Sequence, residues 1–279
     1  MKLKHLFVVA PAFFMLYSCG SGENNQNTST EVVSLDDEME VEQAREVSIV
    51  FPSAIEIMTV FKNAGLNYQK GITNPASNAD KYNSKLQKAI GIGIFTSDLA
   101  YCVINGQNQA AVDYMKTVIS MSEKLGISAV KDAEDLSKRF SAALGDDEKT
   151  LQILTEVQQQ TDMFIDENDL SGTATLIFSG AWLEGMFLAI KANEGFDREA
   201  LSNRLTEQMD VLANLLTALE DSDFKGEEYD NYLSKLKDLD ATFNALESVK
   251  NSGDEAIRLS IVDFKTIADK IVALRNEFI

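Results

Sequence analysis

Ala89-Ile-Gly-Ile-Gly-Ile-Phe-Thr-Ser-Asp-Leu-Ala-Tyr-Cys-Val-Ile104 decides the fold. The stretch is too long for one strand and shows no period-2 alternation. At 3.6 residues per turn its apolar side chains cover most of the helix circumference, as in a helix buried on most sides. Its one charged residue is Asp98. A second stretch of this kind, Gly180-Ala-Trp-Leu-Glu-Gly-Met-Phe-Leu-Ala189, lies within a helix expected from about Thr173 to Ala192 and also carries one acid, Glu184.

Outward from these two, the chain reads as amphipathic helices. Pro52 opens one carrying Ile55, Met58, Phe61 and Leu66, and Gly71 to Ala79, with Asn74-Pro75, is a loop. The first buried helix spans about Asp80 to Ile104. After Asn105-Gly106 a stripe of Val112, Met115, Ile119, Ser122 and Leu125 follows, closed by Gly126. Ser128 is the expected cap of a helix with Val130, Ala133, Leu136, Phe140 and Leu144 inward. The helix from Asp147 to Asp166 turns Leu151, Leu154, Val157 and Phe164 to the core. Asp197 caps a helix bearing Leu201, Leu205, Met209, Leu212 and Leu216, after a loop at Asn193-Glu-Gly195. Tyr232, Leu236, Leu239, Phe243 and Leu246 repeat at 4-3-4-3 spacing. Ser252 and Glu255 read as a capping box for a last helix with Ile257, Ile261, Phe264, Ala268, Ile271, Leu274 and Phe278 inward. Lys270 and Arg275 near its end complement the helix dipole.

The fold class is therefore all-α: about eight antiparallel helices in a bundle or short superhelical array. Val112, Met115, Ile119, Ser122 and Leu125 recur 89 to 90 positions later as Leu201, Leu205, Met209, Leu212 and Leu215, suggesting two pseudo-repeats. The expected organisation is 1–18, a signal peptide; 19–47, a flexible acidic tether; and 48–279, the helical domain, with candidate halves 48–145 and 146–279.

The N-terminus carries its own signal. Lys2 and Lys4 precede an apolar run from Leu6 to Leu16, too short to span a bilayer, and Leu16-Tyr17-Ser18-Cys19 follows. This order resembles a bacterial lipoprotein signal. The resemblance implies cleavage before Cys19 and lipidation of its thiol, with acyl chains that anchor the chain at about 0.8 kcal/mol per buried methylene. No other stretch reads as apolar enough to cross a bilayer. Gly20 to Thr30 has nothing to bury and reads as a tether with an r.m.s. reach of roughly 18 Å, and Asp36 to Arg45 as a short helix or more stalk. Only Glu23 lies close behind Cys19, a poor match to the acidic clusters that direct some lipoproteins of Bacteroidetes to the cell surface. The expected location is thus the periplasmic face of an outer membrane.

Lys88 to Tyr101, continuing to Gly126-Ile127, and Gly180 to Ala189 resemble segments of uncharacterised, wholly helical lipoproteins of Bacteroidetes. The resemblance covers roughly residues 80 to 190. It implies an all-α lipoprotein and carries no activity with it.

The whole chain has 25 basic and 44 acidic residues and a net charge of −19. Loss of residues 1–18 removes Lys2, Lys4 and the single histidine, His5, leaving 23 basic residues against 44 acidic ones, a net charge of −21. That charge repels nucleic acid and anionic lipid headgroups. With Cys19 lipidated, Cys102 has no disulfide partner and reads as a small buried hydrophobe. Without histidine there is no Ser-His-Asp or Cys-His catalysis, no His-ligated zinc and no Glu-x-x-His di-iron site. No Walker A sequence is present. Asp221 to Gly226 starts like a calcium loop, but Lys225 sits at a ligand position and Tyr232 at the twelfth; Asp166 to Asp169 fails similarly at Leu170. No metal or cofactor is expected.

Asp98 and Glu184 remain, each interrupting an apolar helix. With Trp182 they are the candidate ligand-binding residues, and as a close pair they are the candidate acid and base of a hydrolase or lyase. The bland alternative is that each is satisfied locally, Asp98 by Ser97, Thr96 or Tyr101, with Trp182 in an aromatic core cluster. The expected function is a membrane-anchored, non-enzymatic binding or accessory protein with an envelope protein as partner. The alternative is a two-carboxylate enzyme, which requires Asp98 and Glu184 to converge in a cleft open to solvent.

Overall fold

The quoted stretch is helical in the computed structural model, which describes residues 51–130, 132–192, 198–253 and 255–279. The lipobox to Cys19, the tether, the stretch Asp36 to Arg45, and Asn193-Glu-Gly195 with Asp197 lie outside the described residues. The helices are α1 (Ala54–Asn63), α2 (Lys85–Ile104), α3 (Asn108–Leu125), α4 (Ala133–Ala143), α5 (Asp147–Glu167), α6 (Ser171–Ala192), α7 (Arg198–Glu220), α8 (Glu227–Ala245), the single turn α9 (Glu247–Lys250) and α10 (Ile261–Asn276). A 3-10 turn over Ala76–Lys81 precedes α2. There is no strand among the described residues. They belong to one compact unit, Val47–Ile279, with one hydrophobic core.

α2 and α6 form the centre of that core. A capping box starts α2, with the Ser84 hydroxyl accepting from the Gln87 N–H and the Gln87 side chain accepting from the Ser84 N–H. Its start is thus Lys85 rather than Asp80. Every residue from Ser179 to Ile190 of α6 is buried. The two helices touch backbone to backbone at glycines. A Cβ on Gly93 would lie 1.9 Å from the Ile177 carbonyl oxygen, and one on Gly180 would lie 2.1 Å from that of Ile90. The contact is reciprocal, because Gly180 follows Gly93 by the same 87 positions as Ile177 follows Ile90. Further along, the Ser97 hydroxyl donates to the Ala181 carbonyl over 2.6 Å. Positions rise together on both helices, so α2 and α6 are parallel. This follows from consecutive helices reversing direction: α3 runs back along α2, bringing Tyr114 beside Phe95 and Met121 over Gly91.

α6 is long and apolar enough to cross a membrane, against the expectation that nothing after Leu16 is. Yet most of that helix is buried within the protein. Close packing on α2 accounts for its apolar circumference.

The stripes of α7 and α8 lie in the core as expected, with Leu201, Leu205, Met209, Leu212 and Leu216 and then Tyr232, Leu236, Leu239, Phe243 and Leu246 buried. Gly126 ends α3 in the left-handed region at φ 88°, and the Ile127 N–H bonds the Ser122 carbonyl. Other details differ from expectation. On α3 the buried face is Ala111, Tyr114, Met115 and Met121, while Val112, Ile119 and Leu125 are half-buried. Asp132, not Ser128, caps α4, its carboxylate accepting from the Asp135 N–H. α5 buries Thr150 and Ile153 and leaves Leu151 exposed, because the Thr150 hydroxyl is drawn to the Ala143 carbonyl over 2.9 Å. Phe164 is only half-buried.

The last helix starts at Ile261 and not after Ser252. The Ser260 hydroxyl accepts from the Asp263 N–H, while the Asp263 carboxylate accepts from the N–H and hydroxyl of Ser248. These bonds tie the helix start to α9. Ile261 and Val262 then point outward, and the buried stripe is Ile267, Ala268, Ile271, Leu274 and Arg275.

Candidate functional site

Asp98 and Glu184 both lie in the centre of the core, beside the Ser97–Ala181 contact that joins α2 to α6. Their helices are parallel and in register at Ser97 and Ala181, so the two acids sit at one level. By the glycine offset, however, Glu184 corresponds to Ser97 and not to Asp98. Both acids are fully buried.

A guanidinium joins them. Arg275 of α10 donates to Glu184 through Nε at 2.7 Å and Nη2 at 2.8 Å. Its carbon Cζ lies 3.9 Å from the centroid of the Phe187 ring. Thus Arg275 lies in the last turn of α10, as expected, and is also a buried ion-pair partner. The sequence carried a signal for it: Arg275 falls four positions after Ile271 and eight after Ile267, on the buried stripe.

Asn74 supplies the remaining contact. Its N–H donates to Asp98 Oδ2 over 3.2 Å. Asn74 is itself fully buried and bonded on each side: Nδ2 donates to the Tyr82 hydroxyl, Oδ1 accepts from Asn78, and its carbonyl accepts from the Tyr114 hydroxyl. The sequence marked it only as a loop breaker before Pro75. The local partners expected for Asp98 are occupied elsewhere. Ser97 bonds Ala181, Thr96 bonds the Ile92 carbonyl, and Tyr101 bonds the Asn67 carbonyl. Asp98 Oδ1 is buried with no hydrogen-bond partner.

Burial pushes both carboxyls up from their ordinary range. Asp98 moves far, with the charge of Glu184 adding to the effect and Arg275 opposing it. Glu184 moves up by burial as well, against its two bonds from Arg275.

Trp182 is fully buried and its Nε1 lacks a hydrogen-bond partner. Asp98, Trp182 and Glu184, the expected ligand-binding residues, all have no exposed surface. A depression of about 520 Å³ lies elsewhere, on the outer face of α3 and α4, lined by Lys116, Glu134, Ser137, Lys138, Ser141 and Ala142. Asp221 to Gly226 is a helix-helix turn in which Lys225 bonds the Ser222 carbonyl. No group of acids, cysteines or histidines that could hold a metal ion occurs among the described residues. Cys102 is buried and free, its thiol pushed up to about 12 by burial and then by Asp98.

Comparisons with protein-family models, with curated proteins and with solved structures find no match.

Proposed function

We propose that this chain is a cell-envelope lipoprotein, held at the periplasmic face of an outer membrane by a lipid on Cys19, and that its helical domain is a non-enzymatic binding or accessory module. The lipid reading rests on Lys2, Lys4, the apolar run to Leu16 and the order Leu16-Tyr17-Ser18-Cys19. One observation carries the non-enzymatic reading: the two carboxylates best suited to chemistry are fully buried, and a buried cation is bonded to Glu184. A two-carboxylate hydrolase or lyase needs solvent and substrate at both acids. Recognition then falls to the outer surface, whose net negative charge suits a protein partner with basic groups and disfavours nucleic acid.

The test has two arms in the native host. Radiolabelled palmitate should enter the wild-type chain and not Cys19→Ala, and the label should fractionate with the outer membrane. Affinity-tagged protein from crosslinked envelopes should bring a partner in near-equal amount, lost with Cys19→Ala. Absence of label overturns the anchor, and recovery of the chain alone overturns the accessory role.

A further inference from the structure

The central cluster contains two carboxyls and one guanidinium with almost no exposure to water: 0% for Asp98, 0% for Glu184 and 4% for Arg275. With both acids ionised, it would enclose one uncompensated negative charge, which a protein core does not tolerate. The donors are already assigned. Nε and Nη2 of Arg275 serve Glu184, and Nη1 points to Asn276 Oδ1 at 3.4 Å. Asp98 receives a single backbone N–H at Oδ2, and its buried Oδ1 has neither donor nor water-facing surface. A buried carboxyl oxygen without a donor, in one core with a second carboxylate, is where a proton resolves the conflict.

We propose that Asp98 is the neutral acid in the folded protein, its Oδ1 hydroxyl donating to Glu184. The cluster thereby holds one proton and no net charge, and acts as a pH-sensitive lock between α2, α6 and α10. When the core opens, that proton passes to water and Asp98 ionises.

The surrounding groups leave this proton isolated. Facing the pair are Tyr82 from the segment before α2, Tyr114 from α3, Arg275 from α10 and Cys102 one turn along α2. Burial pushes both tyrosine hydroxyls and the Cys102 thiol up, so none of them charges near neutral pH. The acid and base of α1, Glu56 and Lys62, are exposed. Between about pH 4 and 8, only Asp98 and Glu184 in this cluster are able to exchange a proton.

Asp98→Asn tests the lock, since an amide donates like the neutral acid and does not ionise. Urea unfolding of the full chain is followed across that pH range for wild type and Asp98→Asn. The expected result is that the unfolding constant of wild type relative to the variant rises about tenfold per pH unit above the ordinary aspartate value. A ratio independent of pH overturns the proposal. If Asp98→Asn does not fold, unfolding of wild type at pH 7 in weak buffer decides. Release of close to one proton per chain supports the lock, and release of none overturns it.

Discussion

Arg275 reaches back 91 positions to fork onto Glu184 with both bonds under 3 Å, and it stacks on Phe187 in the same turn of α6. Such a pair sets which helices meet more than it adds to stability. Desolvation of the two charges offsets most of their attraction, whereas removing one partner strands the other. Arg275→Met should therefore cost about 3–5 kcal/mol. Glu184→Leu with Arg275→Met should cost less than the sum of the single changes by on the order of 3 kcal/mol. Denaturant titration of the four proteins measures this, and additive single costs would show that the pair is not coupled.

The glycine contacts of α2 and α6 give a sharper steric expectation. Gly93→Ala and Gly180→Ala each place a methyl against a neighbouring carbonyl, at 1.9 and 2.1 Å. Backbone cannot yield as a side chain does, so each change should cost more than the ~1–3 kcal/mol of ordinary overpacking, outweighing the ~1 kcal/mol gain in helix propensity. At Gly91 the new methyl meets the edge of the Tyr82 ring at 2.8 Å and the end of the Met121 side chain at 2.9 Å, side-chain atoms and not backbone, so Gly91→Ala should cost less than either. Thermal melts rank the three, and equal midpoints would refute the close approach.

These two relationships mark where the sequence was legible. Two helices apolar all round, each with one acid, were enough to expect an all-α core and to single out Asp98 and Glu184. The stripes of α7 and α8 were legible because one periodic face and one buried face coincide there. Asn74 and Arg275 were not read as partners of those acids, because their roles exist only through contacts 24 and 91 positions away. The start of α10 was misread for a related reason. Ser252-x-x-Glu255 and Ser260-x-x-Asp263 are rival local caps of similar worth, about 1 kcal/mol. Ser248, folded beside Asp263, decides between them.

That corrected start has its own consequence. Ile261→Asp falls on an exposed site and should change stability by less than about 0.5 kcal/mol. Ile271→Ala removes a fully buried side chain and should cost about 2–5 kcal/mol. Denaturation midpoints of the two variants separate the observed register from one that starts near Ser252, in which Ile261 would face inward. A large loss at Ile261 would contradict the register.

Cys102 offers a probe of core opening. Its thiol is buried and pushed up to about 12, so almost no thiolate exists in the folded chain at pH 8. Alkylation should be negligible until denaturant unfolds the core, and its rate should then follow the unfolded fraction. Fast labelling of the native protein at pH 8 would show that α2 opens locally.

Asp263 should respond to pH with the sign opposite to that of Asp98. The bonds from Ser248 favour its charged form and hold its carboxyl below the usual range. Its contribution is therefore present above the ordinary aspartate value of about 3.9 and is lost as pH falls through the lower folded value. Asp98 is shifted upward, so its contribution is greatest below about pH 3.9 and is lost as pH rises toward its folded value. Ser248→Ala should thus lower the urea midpoint at pH 7 and converge with wild type in strong acid, where Asp263 is protonated folded or unfolded. A stability difference that persists unchanged at low pH would mean that Ser248 acts through packing and not through the charge of Asp263.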